Sequence, residues 1–197
     1  MTRGSYHHGA LREALVATGV ELARAGGPSA VVVREAARRL QVSPAAGYRH
    51  FADRDALLLA VRSEALGLLA LRMLATADSP DPLLHFRGLG EGYAQFALDE
   101  PGLFRTFAAP GVVVRPGQAP PGRDPFGLLS EALDRLVGAG LLPADRRRHA
   151  DAVAWSAVHG LAVLLLDGLL PQQDAAELLD RTLDAVAFGL LPGPPPA

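Results

Sequence analysis

The chain has 197 residues, is 49% hydrophobic and carries a formal net charge of −2, a globular composition rather than a disordered one. It contains neither cysteine nor lysine, which excludes disulfides, thiolate metal sites, a lysine-bearing phosphate loop and lysine Schiff-base chemistry. The charge is uneven: residues 1–62 hold nine arginines against five acids and residues 63–197 hold ten against sixteen, so chance clustering aside, a basic head for nucleic acid precedes an acidic body.

Helical periodicity dominates and no convincing alternating strand appears, so an all-α fold of about nine helices is expected. Their approximate spans are 8–25, 32–40, 44–51, 54–76, 82–99, 101–108, 125–139, 145–168 and 173–190. Gly26-Gly27-Pro28 stops the first. In the second, Val33, Ala36, Ala37 and Leu40 share one apolar face, leaving Arg34, Arg38 and Arg39 to solvent or phosphate. Gln41-Val42 form a tight turn, Ser43 offers an N-cap hydroxyl, and Pro44 occupies the first helical position, where its missing N–H costs nothing. Phe51 turns into the core and Asp53 caps the fourth helix. Two short helices joined by a turn and followed by a capped third form a helix-turn-helix, whose second helix lies in the DNA major groove.

Within that second helix Arg49 suits bidentate reading of guanine, while small Ala45, Ala46 and Gly47 suit a close approach to thymine methyls. His50 either supports the turn or touches a phosphate. Arg34, and Arg3 in the leader, are candidates for phosphate or minor-groove contact, with an ordinary solvated charge as the alternative.

Farther on, Ser79-Pro80 and Pro82 separate the fourth and fifth helices, and the Pro- and Gly-rich stretch from Pro110 to Pro125 reads as a mobile loop in which Val112-Val113-Val114 would be a strand without a partner. Trp155 and His159 stand four apart on one face of the eighth helix. With Tyr93, Phe96, Phe104, Phe107 and Phe126 they would line an apolar small-molecule cavity; a filled aromatic core with a satisfied histidine is the other reading. The eighth helix is apolar around nearly its whole circumference, and the ninth carries a wide stripe through Leu178, Leu179, Thr182, Leu183, Val186 and Leu190. Periodicity leaves intramolecular packing and a dimer surface equally open.

No catalytic residues, cofactor or metal are expected. Ser156 and His159 lack a nucleophile elbow, Gly88-Leu89-Gly90 with Gly92 lies in a helical pattern without the strand a dinucleotide loop requires, and His85, His149 and His159 share no ligand spacing. The beginning of the sequence lacks the order of a secretory signal, and the most apolar stretch, Leu161–Leu166, is far shorter than the roughly 20 residues of a membrane span. A cytoplasmic location without membrane contact is the expectation.

Ser43-Pro44 with Tyr48, His50-Phe51, and Arg54 followed by Ala56-Leu57-Leu58 resemble the recognition helix and connecting-helix start of the TetR family of transcriptional regulators, and Tyr6–Gly27 resembles that family's first helix. Tyr93–Phe107 and Trp155–Gly160 resemble a subgroup whose C-terminal ligand-binding domain carries a Trp, His and Gly signature. The resemblance implies a DNA-binding domain over 1–53, a ligand-binding and dimerisation domain over 54–191 and a disordered tail over 192–197. It implies that Tyr48 and Arg54 contact phosphates, against the alternative of a core tyrosine and a solvated arginine. It also shifts the last two helices toward a four-helix homodimer interface involving Val158, Ala162, Leu165, Leu179, Leu183 and Val186. The implied function is a ligand-responsive regulator, most often a repressor, bound to a palindromic operator and answering to a small apolar or aromatic effector. A dimeric helical binding module without DNA function, or a helical enzyme, are the alternatives. Two positions depart from the family pattern: Gln41 replaces a glycine and Val32 a capping Ser or Thr.

Overall fold

The computed structural model describes residues 4–108 and 124–190. Nine α-helices and no strand lie among them: α1 (Gly4–Ala30), α2 (Val33–Arg39), α3 (Pro44–Tyr48), α4 (Arg54–Thr76), α5 (Pro82–Asp99), α6 (Pro101–Ala108), α7 (Pro125–Gly138), α8 (Ala150–Leu166) and α9 (Ala175–Leu190). The expected loop over Pro110–Pro125, with its Val112–Val114 segment, falls mainly outside the described residues, as do Arg3 and the expected tail. The chain forms two compact units. One contains residues up to Leu66 and the segment that begins at Glu100; the other contains Gly67–Asp99 and α7 to α9.

In the first unit the chain bends at Gly26 (φ −148°) and Gly27 (φ 66°), and one further helical turn follows, starting at Pro28. Glycine is needed at Gly27 because L side chains rarely tolerate that φ. Val32 caps α2 with extended backbone and no side-chain hydrogen bond. Gln41 adopts φ 57°, so the turn before α3 is left-handed. Ser43 Oγ accepts the Ala46 N–H at 3.2 Å, and Asp53 Oδ1 accepts the Ala56 N–H at 2.8 Å, so both expected caps form. α3 stops at Tyr48, three residues short of the expected end; Phe51 is buried and the Arg12 guanidinium lies 5.1 Å from its ring centre.

The cut expected at residue 53 does not follow the compact units, because α6 and the first half of α4 pack with the head. A β-carbon on Gly102 would collide with the carbonyls of Ala23 and Arg24, so only glycine lets α6 settle against the end of α1. Arg24 Nε donates to Glu100 Oε2 at 3.1 Å across the same junction. Arg62 of α4, 2% exposed, donates from Nε to the Thr106 carbonyl at 2.9 Å, and burial lowers its pKa from the ordinary arginine value.

In the second unit α5 packs against α7, α8 and α9. Its glycines set two approaches. Gly88 and Gly92 meet the second half of α4, where an added β-carbon on Gly92 would lie 2.7 Å from Met73 Cα; Gly90 meets Leu183 of α9. The glycine cluster is therefore a helix-packing device. Arg87 of α5 donates to Asp180 and Asp184, one turn apart on α9. The eighth helix begins at Ala150 rather than 145: a 3-10 turn spans Ala144–Arg146, and His149 takes φ 64°, which interrupts the helical ladder. Arg147 holds this corner by donating to Asp134 Oδ1 at 2.6 Å and Ser130 Oγ at 2.7 Å.

Candidate functional site

α3 presents a selective outer face. Ser43, Ala45, Tyr48 and Arg49 are exposed, Tyr48 at 44%, while Ala46 and His50 are half-buried. The Arg49 side chain makes no hydrogen bond or ion pair among the described residues, so its guanidinium fork is available to a partner. Gly47 corrects the sequence reading. It is buried, and an added β-carbon would lie 3.1 Å from Val33 Cγ1 and 3.4 Å from Ala37 Cβ, so its small size serves the α2–α3 contact and not the approach to a ligand.

The surrounding arginines differ in what they already bind. Arg34 is exposed on α2 without an ion pair among the described residues. Arg38 and Arg39 instead donate to Glu35 at 2.8 and 3.2 Å, and these hydrogen bonds hold the Glu35 carboxyl at a pKa of about 2. Arg54 donates from one terminal nitrogen to the Pro28 carbonyl at 2.6 Å, and its other terminal nitrogen lies 3.5 Å from Asp55. Its guanidinium thus ties the start of α4 to the end of α1, so part of the donor set expected for phosphate is already used.

The second candidate site lies in the body. Tyr93 Oη and His159 Nδ1 share a 2.7 Å hydrogen bond. Trp155 meets the Tyr93 ring edge-on at 4.9 Å and 73°, and stacks on Phe126 at 3.8 Å and 18°. Desolvation raises the Tyr93 pKa and lowers that of His159, so both are neutral near pH 7. Beside them is an apolar cavity of about 30 Å³ bordered by Met73, Phe86, Leu89, Leu129, Val158 and Leu183 together with Tyr93 and Trp155. That volume admits water-sized groups, whereas a drug-sized ligand needs several hundred Å³. The aromatic cluster is thus nearly filled.

Four of the seven expected ligand residues, Tyr93, Phe126, Trp155 and His159, converge. Phe96 is buried in α5 away from the cavity lining. Phe104 and Phe107 are a correction: they meet edge-on at 5.1 Å within the head unit, because α6 follows α1. Met73, Phe86 and Leu129 were missed. Phe86, Leu89 and Tyr93 follow an i, i+3, i+7 stripe that was visible in the sequence.

A further correction concerns the expected dimer residues. Val158, Ala162, Leu165, Leu183 and Val186 are buried inside one chain, and Leu179 is half-buried. The apolar arc turned outward on α8 consists of Val153 (52% exposed), Ala157, Gly160 and Leu164 (40%); on α9 it is Leu178, Thr182, Ala185 and Gly189. Both sets follow helical spacing, and a shallow groove runs between them, bordered by Val153, Ala157, Leu178, Thr182, Ala185 and Gly189. A helix apolar on every side cannot disclose from periodicity which arc its own core takes.

Among the described residues no group of three or more His, Cys, Asp or Glu is placed to hold a metal, and no helix is long and apolar enough to cross a membrane. Residues 15–61 match the family model "Bacterial regulatory proteins, tetR family", and residues 86–186 match "Tetracyclin repressor-like, C-terminal domain". That second description does not extend to the subgroup expected from Trp155, His159 and Gly160. A protein of unknown function from Rhodococcus sp. RHA1 is 28% identical, with 96% of this chain and 100% of that one covered at a TM-score of 0.77. A TetR-family transcriptional regulator from Pectobacterium atrosepticum is 21% identical over 98% of this chain and 100% of that one, TM-score 0.70. A TetR variant from Acinetobacter baumannii AYE, crystallised with minocycline, is 22% identical over 89% and 93%, TM-score 0.66. No curated protein matches significantly.

Proposed function

The chain belongs to the tetR family of bacterial regulatory proteins, and from that premise we propose that it binds a palindromic operator as a homodimer, as a repressor, and releases it when a small apolar or aromatic effector enters the body. The observation that carries DNA recognition is the outward face of α3, where Ala45, Tyr48 and the uncommitted Arg49 project while Gly47 anchors the helix to α2. Two such helices must enter successive major grooves roughly 34–36 Å apart, so the subunit interface governs affinity by fixing that separation.

The outward arc on α8 and α9 supports the interface, since it leaves each monomer with an apolar surface that a second copy would cover. DNA binding is assigned to the segment 1–53, and effector binding and dimerisation to 54–191. α4 contributes residues to both compact units, which supports it as the element that carries a change of packing in the body to the head. Coupling of this kind is typically about 1–3 kcal/mol, enough to clear an operator that is not saturated. The reading places the protein in the cytoplasm and assigns it no catalysis.

Fluorescence anisotropy over a series of salt concentrations with the DNA upstream of the protein's own coding region tests the proposal. Arg49→Ala is expected to relax base preference with a cost of about 1–3 kcal/mol at one position per half-site. Arg34→Ala is expected to weaken all sequences alike and to reduce the slope of log affinity against log salt by about one for each phosphate that is no longer neutralised. Wild-type binding no tighter than to random DNA, unchanged in both variants, would overturn DNA regulation.

A further inference from the structure

Resting on the DNA-binding reading of the head, we propose that Glu35 is an internal competitor for phosphate: it occupies Arg38 and Arg39, and so holds down the affinity of the head for the DNA backbone.

The arrangement of α2 puts the competitor where it counts. The helix buries Val33, Ala36 and Ala37, so its outward arc runs, around the axis, Arg34, Arg38, Glu35 and Arg39, and its one acid stands between arginines. In a helix-turn-helix this first helix crosses the phosphate backbone, and Arg38 lies one turn beyond Arg34 on the same side. Arg38 is 71% exposed, yet its guanidinium is already engaged. Its Nε and Nη2 donate to the two Glu35 oxygens, both at 2.8 Å, and Arg39 Nε adds a third bond at 3.2 Å. That fork is the geometry in which a guanidinium takes a phosphate, so carboxylate and phosphate compete for the same donors.

The local sequence explains why the carboxylate is available for this. An acid at the third position of a helix ordinarily bonds back to the cap residue as half of a capping box, whose other half is a Ser or Thr side chain. Val32 supplies no such acceptor, so the reciprocal box cannot form, and both Glu35 oxygens turn forward to the arginines. The bonds from Arg38 and then Arg39 hold the carboxyl at a pKa of about 2, which keeps it charged near neutral pH. Exposed ion pairs of this kind contribute little to folding. Beside a polyanion, by contrast, each arginine withheld removes a contact that would release counterions. The consequence of the cluster therefore lies in binding: a regulator cleared by a modest coupling energy needs a backbone affinity that the coupling can overcome.

The test uses the full-length protein and fluorescence anisotropy over a salt series with two duplexes, the DNA upstream of the protein's own coding region and a random sequence of equal length. Glu35→Gln keeps the size of the side chain and removes its charge. It is expected to steepen the slope of log affinity against log salt by about one to two on both duplexes, and to raise affinity for the random duplex about tenfold near 0.1 M salt. Arg38→Ala is expected to change the slope by less than about 0.5 in the wild-type background, where Arg38 is engaged, and to reduce it by about one in the Glu35→Gln background. A structural role or a simple change of net charge does not make one substitution depend on the other in this way. Because Arg38 is exposed, the Arg38→Ala measurement stands even where Glu35→Gln lowers the fraction folded. A full unit lost from the slope by Arg38→Ala in the wild-type background would overturn the inference, as would an unchanged slope in folded Glu35→Gln. The two readings fail separately. Wild-type binding to the upstream DNA no tighter than to the random duplex sinks the regulator, while the slopes on the random duplex still decide the role of Glu35; a clear preference for the upstream DNA with unchanged slopes sinks the role of Glu35 alone.

Discussion

Gln41 and Val32 show how single residues set the stability of the head. At φ 57° a glutamine side chain crowds its own backbone, at a cost of roughly 1 kcal/mol that glycine would avoid. Gln41→Gly is therefore expected to raise the urea midpoint by an amount equivalent to about 0.5–1 kcal/mol, the greater freedom of glycine in the unfolded chain offsetting part of the relief. Val32 already has the extended backbone of a cap but no side-chain acceptor, so Val32→Thr should add about 0.5–1 kcal/mol in the same measurement. His159 has a different signature. Desolvation lowers its pKa, so the unfolded chain takes up a proton that the folded chain refuses, and stability present above the ordinary histidine pKa is lost as the pH falls below it. The melting temperature should drop between about pH 7 and about pH 5, and the drop should be smaller in His159→Gln, which keeps a partner for Tyr93. A pH dependence identical in both proteins would remove His159 from the cause.

At the scale of elements, α5 matters most to the body because its glycines bring other backbones close. Gly92 adjoins Tyr93 in sequence and faces Met73 in space, and Met73 borders the same cavity as Tyr93. An event at the aromatic cluster is consequently one residue away from the α4–α5 crossing. Gly92→Ala would force the helices apart and is expected to cost about 1–3 kcal/mol in equilibrium unfolding, with Gly9→Ala, where an added β-carbon meets nothing within 4 Å, as the harmless control. How much of this was legible in advance depended on whether the signal was local. The cap at Ser43, the stop at Gly26-Gly27 and the start at Asp53 were readable because each is satisfied by neighbours within a few residues. The late start of α8 was not. His149 adopts a left-handed conformation beside an arginine whose hydrogen-bond partners, Ser130 and Asp134, lie on another helix.

For the whole molecule the decisive question is which apolar residues face inward. Leu165 is buried and Leu164, its neighbour, is 40% exposed. If the outward arc joins two copies, Leu164→Arg and Ala185→Arg should yield a folded monomer by sedimentation with sharply reduced operator affinity, whereas Leu165→Ala should cost roughly 2–5 kcal/mol of folding stability through the cavity it leaves. A dimer that survives both arginine substitutions would move the interface elsewhere.

The sequence by itself determined the helices, their caps, the basic segment with its helix-turn-helix and the exclusion of thiol and lysine chemistry, since these depend on residue type and short-range spacing. Tertiary structure alone decided that Gly47 faces α2, that Phe104 and Phe107 pack in the head, that the aromatic cluster is nearly filled, and which arc of α8 and α9 stays turned outward. The reason is physical: hydrophobic burial is nondirectional, so an apolar residue states that it will be covered and not by which neighbour. That choice is made by backbones meeting over residues far apart in the chain, as at Gly92 and Gly102.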